Sequence, residues 1–299
     1  MGKFYEIQFE IETNCLLDCI HCSSLNSRSL DGIEYSMDDI LNMMKLFDEK
    51  SHIVFTGGEP FLNDSILQLI NKIDKQKKIG IYTTGNLNNL SPIESGLANK
   101  LKKYGVDECY FSIYSSSCKE HEELTRIEGS FLNTLKSIES LKKNGIVVKG
   151  HLVLTKKNID KIEDVLNFCE QIELDEVRIL KLAPVGNAKN NWNDLSISLG
   201  EQNRVIEGIL AKNDNYKMKI TVAGYPTIMP CRNFDGAKGC QAGTNLLYVD
   251  AYGDIYPCAS TKSNKKHFKI CNIKELYKLR VYLDKISNIE YRKICLSNL

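Results

Sequence analysis

Short apolar runs alternate with amphipathic helical stretches from residue 5 to about residue 182. This alternation is typical of βα units wound around a parallel sheet. The helical stretches keep a period of 3.6, so that Ile40, Met43, Met44 and Phe47 fall on one face. We therefore predict an α/β fold in which six βα units form a partial (β/α)6 barrel. The six predicted strands cover residues 5–12, 53–56, 79–84, 109–114, 147–154 and 177–182.

The alternation ends at the segment 183–186, which contains both a proline and a glycine. One further helix is predicted near 200–212, followed by short strands near 218–222 and within 246–256, with a turn at Gly253. We accordingly expect three segments: a barrel core over 1–186, a linker and helix over 187–216, and a small cysteine-rich domain with a β-hairpin over 217–299.

Charge and hydropathy narrow the possible environment and partners. The 299 residues carry a formal net charge of +1, so the chain lacks the basic field that drives nonspecific binding to nucleic acid or anionic membranes. It has no membrane-spanning apolar stretch and no signal-peptide core, so we expect a cytoplasmic protein. In that reducing compartment its 11 cysteines favour metal binding over disulfides.

Three of these cysteines, Cys15, Cys19 and Cys22, follow the first predicted strand directly. The carboxyl ends of barrel strands are where active sites lie. Three thiolates leave one coordination position for a ligand that is not protein. A zinc site completed by His21 is one interpretation, but an iron–sulfur cube, whose irons stand farther apart, suits the spacing better.

The arrangement C-x3-C-x2-C, with Gly57-Gly58-Glu59-Pro60 after the second strand, resembles the radical S-adenosylmethionine (SAM) superfamily. The resemblance implies a TIM-like partial barrel in which the three cysteines hold a 4Fe-4S cluster and SAM chelates the fourth iron. Gly57 and Gly58 would let backbone approach the cofactor, and Glu59 would meet its ammonium group. The same resemblance suggests four further cofactor contacts: Thr84, Asn86, Ser112 and Arg126. For Ser112 and Arg126 the alternatives are an ordinary barrel side chain and a solvated arginine.

A second group of cysteines lies after the barrel. The spacing C-x12-G-x4-C from Cys240 to Cys258 resembles the SPASM/twitch extension of radical SAM enzymes, in which a hairpin brings both cysteines to an auxiliary cluster. The resemblance implies one auxiliary 4Fe-4S cluster, with Cys231 as a third ligand. Either Cys295 or Cys271 would be the fourth, and we favour Cys295.

The other cysteines have simpler interpretations. Cys169 shares an apolar helix face, and Cys109 falls within a predicted strand, so both are expected in the core. Cys118 follows the fourth strand and is the candidate catalytic residue, as a hydrogen-atom donor.

The resemblance implies an enzyme that receives electrons from an external donor and cleaves SAM to a 5'-deoxyadenosyl radical, which abstracts hydrogen from the substrate. The leading hypothesis is modification of a ribosomal peptide by crosslinking, epimerisation or residue oxidation. The first strand begins near residue 5, so we expect no fused leader-binding domain. The leader would then bind either a separate leader-binding protein or the barrel itself. The alternatives are reaction on a small molecule, such as an aminocyclitol or nucleotide, and a zinc-stapled binding protein without catalysis.

Overall fold

The computed structural model describes residues 5–24, 32–229 and 239–286. Ten strands of the described residues form one sheet, in the order β10-β9-β8-β1-β2-β3-β4-β5-β6-β7. They are β1 (Glu6–Glu12), β2 (His52–Gly57), β3 (Lys78–Thr83), β4 (Glu108–Ser112), β5 (Val147–Leu154), β6 (Glu176–Lys181), β7 (Lys219–Ala223), β8 (Leu246–Val249), β9 (Asp254–Tyr256) and β10 (Cys271–Asn272).

Helices connect the parallel strands and cover one face of the sheet. The described α-helices are α1 (Met37–Met44), α2 (Ile66–Lys72), α3 (Ser95–Tyr104), α4 (Cys118–Thr125), α5 (Ser130–Lys143), α6 (Ile162–Gln171), α7 (Asn187–Asn190), α8 (Trp192–Leu195), α9 (Leu199–Ala211), α10 (Lys265–Phe268) and α11 (Leu276–Ile286). The expected buried face of α1 is present, since Ile40, Met43 and Met44 are all buried.

Strand β1 shows how the sheet divides the molecule into an apolar and a polar side. Ile7, Phe9 and Ile11 belong to the main hydrophobic core. Glu6, Gln8 and Glu10 alternate with them and are also buried. Because successive side chains of a strand point to opposite faces, the apolar set packs on one face and the polar set occupies the other. The polar set therefore requires buried partners.

The partial α/β barrel predicted from the sequence is confirmed, and each of the six predicted strands is present within two residues of its expected ends. The helix predicted near 200–212 is α9. The predicted hairpin is also present: β8 and β9 pair antiparallel, and Gly253 takes φ 77° in the turn. Such a positive φ is accessible to glycine at little cost.

The sheet continues beyond the six predicted units. Strand β7 pairs parallel with β6, and β8 pairs parallel with β1, so both cysteine-bearing segments belong to one sheet. Short strands were predicted in both regions, but strands of five and four residues carry too little periodicity to show which strands they pair with. Their positions in the sheet could therefore not be predicted from the sequence. The expected boundaries at 186 and 217 stay a prediction.

Two cysteines and the expected absence of a membrane-spanning helix can also be compared with the structure. Cys109 and Cys169 are fully buried in the core, as expected. Burial raises the pKa of the Cys169 thiol to about 12. Within the described ranges, no helix has the length and apolarity needed to cross a membrane.

Candidate active site

A cavity of about 360 Å³ opens at the carboxyl ends of the barrel strands. It collects side chains from both cysteine groups and from the ends of several strands, as expected for a barrel active site. The strand-end residues in its wall include Thr56, Gly57, Thr84, Ser112, Val153, Lys181 and Ala223. The cysteines in its wall are Cys15, Cys19, Cys22, Cys240 and Cys258.

The loop that carries Cys15, Cys19 and Cys22 is fixed on one side by the end of α4. The backbone N–H of Asp18 donates to the carbonyl of Thr125 at 3.0 Å, and that of Ile20 donates to the carbonyl of Leu124 at 3.0 Å. Both acceptors lie in the last turn of α4, where carbonyls have no partner within the helix. The end of α4 therefore holds the middle of the cysteine loop.

The other side of this loop rests on the start of α7. Asn187 donates its backbone N–H to the carbonyl of Cys22 at 2.8 Å and its side-chain amide to the carbonyl of Cys19 at 3.1 Å. The preceding residue must be small, because a Cβ on Gly186 would stand 2.4 Å from the Cys22 carbonyl oxygen. The segment after β6 thus positions two of the three cysteines.

Gly57 and Gly58 allow close approach between the end of β2 and the backbone just before the cysteine loop. The N–H of Gly58 donates to the carbonyl of Glu12 at 2.7 Å. A Cβ on Gly57 would lie 2.2 Å from the Glu12 carbonyl oxygen, and one on Gly58 would lie 2.0 Å from that of Asn14. Both glycines also line the cavity, so the glycine pair shapes its wall.

Glu59 lies behind this wall and is fully buried. Its carboxylate accepts from the Thr83 hydroxyl at 2.7 Å, from the Thr84 hydroxyl and N–H at 2.7 Å each, and from the Phe61 N–H at 3.3 Å. Burial raises the pKa of Glu59, while these hydrogen bonds oppose the rise. The carboxylate is occupied with orienting the end of β3, so this geometry does not support the expected direct contact with an ammonium group.

The residues around the cysteine loop do not form the four-ligand zinc site considered from the sequence. The thiols of Cys15, Cys19 and Cys22 are not joined in disulfides and reach one cavity. Within the described parts of the chain, no group of three or more His, Cys, Asp or Glu side chains could hold a metal ion. His21, the fourth ligand of the zinc interpretation, instead packs edge-on against Tyr114 with 4.3 Å between ring centroids. An iron–sulfur cluster does not require its cysteines to converge on one ion, because its irons stand apart.

The second cysteine group faces the same cavity. Cys240 and Cys258 both line it. Cys231 and Cys295, the other proposed auxiliary ligands, lie outside the described residues. Cys271 is buried in β10, where it pairs with Ile255, and is not part of the cavity wall. Cys240 and Cys258 thus share a cavity wall that Cys271 does not reach, and the auxiliary ligand set stays a prediction.

The four further cofactor contacts expected from the sequence divide into two pairs. Thr84 and Ser112 line the cavity. Asn86 and Arg126 do not: the Asn86 amide is buried and donates to the Thr84 carbonyl at 3.0 Å, and Arg126 forms an exposed ion pair with Asp18 at 3.1 Å. These two residues support the loops around the site instead of facing the cavity.

The expectation that Cys118 donates a hydrogen atom is not supported by its position. Its side chain is exposed at the first residue of α4 and is absent from the cavity wall. Cys118 follows β4 closely in sequence, but it already belongs to the connecting helix α4. Its thiol is therefore not among the residues that line the cavity.

The floor of the cavity, which is formed by Gln8, Tyr82, Tyr110 and His151, was not predicted from the sequence. Tyr82 and Tyr110 pack edge-on with 4.9 Å between centroids, and each also contacts the His151 ring. One sequence pattern could have predicted these residues: polar or aromatic residues recur at alternate positions of strands that are otherwise apolar.

A cluster of charged groups centred on the buried Glu108 adjoins this floor. The Tyr110 hydroxyl donates to Glu108, and Lys78 and Lys149 approach the other carboxylate oxygen at 2.6 and 2.8 Å. Burial alone would raise the pKa of Glu108, but His52 and the two lysines lower it to about 2. The Tyr110 hydroxyl therefore donates to a carboxylate that is ionised at neutral pH.

Charge is sparse in the cavity itself. Among the described residues that line it, Lys181 is the one Lys, Arg, Asp or Glu side chain. The cavity's other polar lining residues are mainly tyrosine, histidine, serine and threonine. Such a wall suits a ligand of low net charge, because buried charges require paired partners.

The fold agrees with comparisons to known proteins. The sequence model of the Radical SAM superfamily matches residues 10–169 of this chain, more than half of its length. The chain belongs to the radical SAM superfamily.

Three similar proteins illustrate the range of the relatives. An AdoMet-dependent heme synthase of Nitratidesulfovibrio vulgaris is 24% identical over 319 residues, covering 97% of this chain and 85% of that protein. Mycofactocin maturase MftC of Mycolicibacterium smegmatis is 24% identical over 264 residues, covering 84% of this chain and 63% of that protein. Streptococcus suis SuiB bound to precursor peptide SuiA matches with a TM-score of 0.72 and 18% identity, covering 97% of this chain and 68% of that one.

Proposed function

We propose that this radical SAM enzyme modifies a peptide, with an auxiliary 4Fe-4S cluster beside the SAM-binding cluster. The observation that carries the proposal is that Cys15, Cys19 and Cys22 share one cavity with Cys240 and Cys258. The first three would bind the catalytic cluster, and the last two would bind the auxiliary cluster. Cys231 and Cys295 complete the proposed auxiliary ligand set, and both lie outside the described residues.

The cofactors would supply one electron and a 5'-deoxyadenosyl radical, which takes a hydrogen atom from the substrate. The protein must then hold the substrate carbon in place and exclude water. α4 and Asn187 fix the cysteine loop, and the Gly57-Gly58 backbone provides a wall at which SAM would lie. Tyr82 and Tyr110 form an aromatic part of the same cavity wall. An external electron donor belongs to the proposal as a partner, and the leader of the peptide would bind either a separate protein or the barrel itself.

A peptide substrate is favoured by the low charge of the cavity. A nucleoside triphosphate or a polycarboxylate would require several buried cations, because an unpaired buried anion is costly. The described cavity wall offers Lys181 alone. A peptide segment with neutral side chains can instead be held by hydroxyl, imidazole and backbone groups. The likeness to peptide-bound SuiB, although it concerns the fold, and to the maturase MftC agrees with this choice.

A tetrapyrrole substrate is the second candidate, because the similarity to a heme synthase extends over 97% of this chain. A carboxylate-bearing tetrapyrrole would have to pair most of its anionic groups outside the described cavity wall. Membership of an enzymatic superfamily favours both catalytic candidates over a zinc-stapled binding protein.

The test begins with anaerobic reconstitution of the chain, for which we expect about eight irons with matching sulfide. The reduced enzyme should form 5'-deoxyadenosine from SAM. It is then incubated in D2O with a short peptide encoded beside its gene and, separately, with a carboxylate-bearing iron tetrapyrrole. Loss of a pair of hydrogens from the peptide, or deuterium incorporation at one residue, would support the proposal. An unchanged peptide together with a converted tetrapyrrole would contradict it.

A further inference from the structure

A fully buried carboxylate, Glu10 on β1, joins three separate parts of the chain. Its Oε1 atom accepts from Lys262 Nζ at 2.6 Å, from Ser24 Oγ at 3.2 Å and from the Tyr248 hydroxyl. Its Oε2 atom accepts from the backbone N–H of Ala251 at 2.9 Å. Among the described residues, four donors converge on this one buried carboxylate, which is strong evidence of a specified geometry.

Lys262 is held as closely as its partner. Its side chain is 9% exposed. Besides Glu10, its ammonium donates to Ser24 Oγ at 3.3 Å and to the Tyr248 hydroxyl at 3.2 Å, and it stands 5.3 Å from the centroid of the Tyr248 ring. The lysine thus fills its donor positions with groups from β8 and from the cysteine loop.

The location of this pair relates it to the cysteines. Ser24 is two residues beyond Cys22, at the end of the first cysteine loop. Lys262 lies in the 3-10 turn Ala259–Asn264, and Cys258 is the N-cap residue of that turn. Ser24 and Tyr248 also line the cavity. The same ion pair consequently touches both segments that supply cysteines.

We infer that Glu10 and Lys262 are positioning residues that fix the separation of the two iron–sulfur centres, an inference that rests on the proposed function. A buried ion pair contributes little to stability when compared with an apolar pair of the same size, because desolvation offsets its attraction. Its directional hydrogen bonds nevertheless select one arrangement of the groups that it joins. Here those groups are the ends of the two cysteine-bearing segments.

The decisive variant is the double replacement Glu10→Gln with Lys262→Met, which removes both charges and keeps the side-chain lengths. Lys262→Met alone leaves an uncompensated buried carboxylate, so we expect it to unfold more readily than the double variant. Lys266→Met is the matched control, because Lys266 is exposed in the neighbouring helix α10.

Two measurements report the separation of the centres and the mobility of their segments. The first is the dipolar coupling between the reduced clusters in pulsed EPR spectra of the reconstituted enzyme. In the double variant we expect a distribution of inter-cluster distances about twofold wider than in the wild type. The second is hydrogen exchange of the cluster-free chain, which should quicken by about tenfold at residues 22–24 and 248–251. Lys266→Met should change neither measurement.

An unchanged dipolar coupling in a folded double variant would overturn the inference. Loss of the fold in the double variant would also overturn it, because the pair would then act through overall stability. A wild-type chain that holds only one cluster refutes the proposed function instead. The wild-type iron count therefore separates failure of the function from failure of the positioning role.

Discussion

At the scale of single residues, the shape of the candidate active site depends on glycines at which two backbone segments approach closely. Gly57, Gly58 and Gly186 each bring a strand end or loop against the cysteine loop or the residues before it. Side chains are excluded at these positions because the opposing atoms are carbonyl oxygens, which cannot turn aside as a flexible side chain would. The shape of the cavity wall therefore depends partly on the absence of side chains.

Gly58→Ala should destabilise the protein by about 3 kcal/mol, because its Cβ would overlap the Asn14 carbonyl oxygen. Gly208→Ala is the control: Gly208 is exposed within α9, and nothing lies within 4 Å of the position that an added methyl group would take. There the change should stabilise by about 0.5–1 kcal/mol. Urea denaturation of both variants measures the difference. Equal effects at the two sites would show that the close approach at Gly58 does not exist.

Buried His121 predicts a pH dependence of stability. Its ring stacks on Tyr114 with 5.3 Å between centroids. Burial, together with the nearby His21, lowers the pKa of His121 to about 3. An unfolded histidine titrates near 6.5. The unfolded chain therefore takes up a proton that the folded chain refuses, and stability is lost as the pH falls from about 6.5 towards 3.

His121→Phe should remove about 3 kcal/mol of the loss in unfolding free energy between pH 7 and pH 4. The exposed His267, replaced by Phe, should leave that loss unchanged. Urea titrations at intervals across this pH range measure both variants. A His121→Phe profile parallel to that of the wild type would contradict the assignment of a neutral, buried imidazole.

At the scale of secondary structure, the start of helix α1 can be predicted from neighbouring residues alone. The spacing of Ser36 and Asp39 predicts a capping box, and both hydrogen bonds are present: Ser36 Oγ accepts from the Asp39 N–H at 3.2 Å, and Asp39 accepts from the Ser36 N–H at 2.8 Å. Such boxes satisfy two backbone donors with residues three apart. No distant part of the chain is needed, so sequence spacing suffices.

Ser36→Ala should lower the free energy of unfolding by about 1 kcal/mol, because the Ser36 hydroxyl no longer caps the first turn of α1. Ser65→Ala provides the comparison. Ser65 occupies the same cap position of α2 but makes no side-chain cap hydrogen bond. Its replacement should cost no more than a few tenths of a kcal/mol. Thermal unfolding of the two variants measures the contrast, and equal losses would show that the capping box contributes nothing.

At the scale of the whole molecule, strand pairing brings the two cysteine groups together. Strand β8 pairs with β1, so the hairpin that separates Cys240 from Cys258 stands beside the strand that leads to Cys15. These residues are more than two hundred positions apart in sequence. The sheet therefore makes one cavity from two motifs, and on the proposed function it places two clusters around one substrate.

Replacement of Cys240 or Cys258 by Ser should reduce the iron content from about eight to about four per chain, because the proposed auxiliary cluster loses a ligand. The first cluster should remain, and SAM should still bind it. Cys271→Ala is the control, since Cys271 lies in β10 away from the cavity. Iron and sulfide analysis with EPR measures the outcome. A full iron content in Cys240→Ser, or a halved one in Cys271→Ala, would contradict the ligand assignment.

Particular residues show how far the sequence alone can lead. The strands, the helix periods and the hairpin follow from local periodicity and turn chemistry, which neighbouring residues determine. The cavity floor of Tyr82, Tyr110 and His151 was not predicted, because each residue is one side chain of a separate strand. Cys118 and Arg126 were expected to face the site from their sequence positions. Cys118 is instead exposed at the start of α4, and Arg126 pairs with Asp18 of the cysteine loop, so neither lines the cavity.

The amino-acid sequence by itself determined the alternating α/β elements, both cysteine spacings and the glycine pair after β2, because each depends on contacts within a short stretch of chain. Only the tertiary structure decided that β7 and β8 extend the sheet at its two sides, that Glu59 turns inward, and that Glu10 meets Lys262. These outcomes depend on which distant segments pack together. That choice is set by the burial of whole faces and the pairing of buried charges, which no local pattern contains.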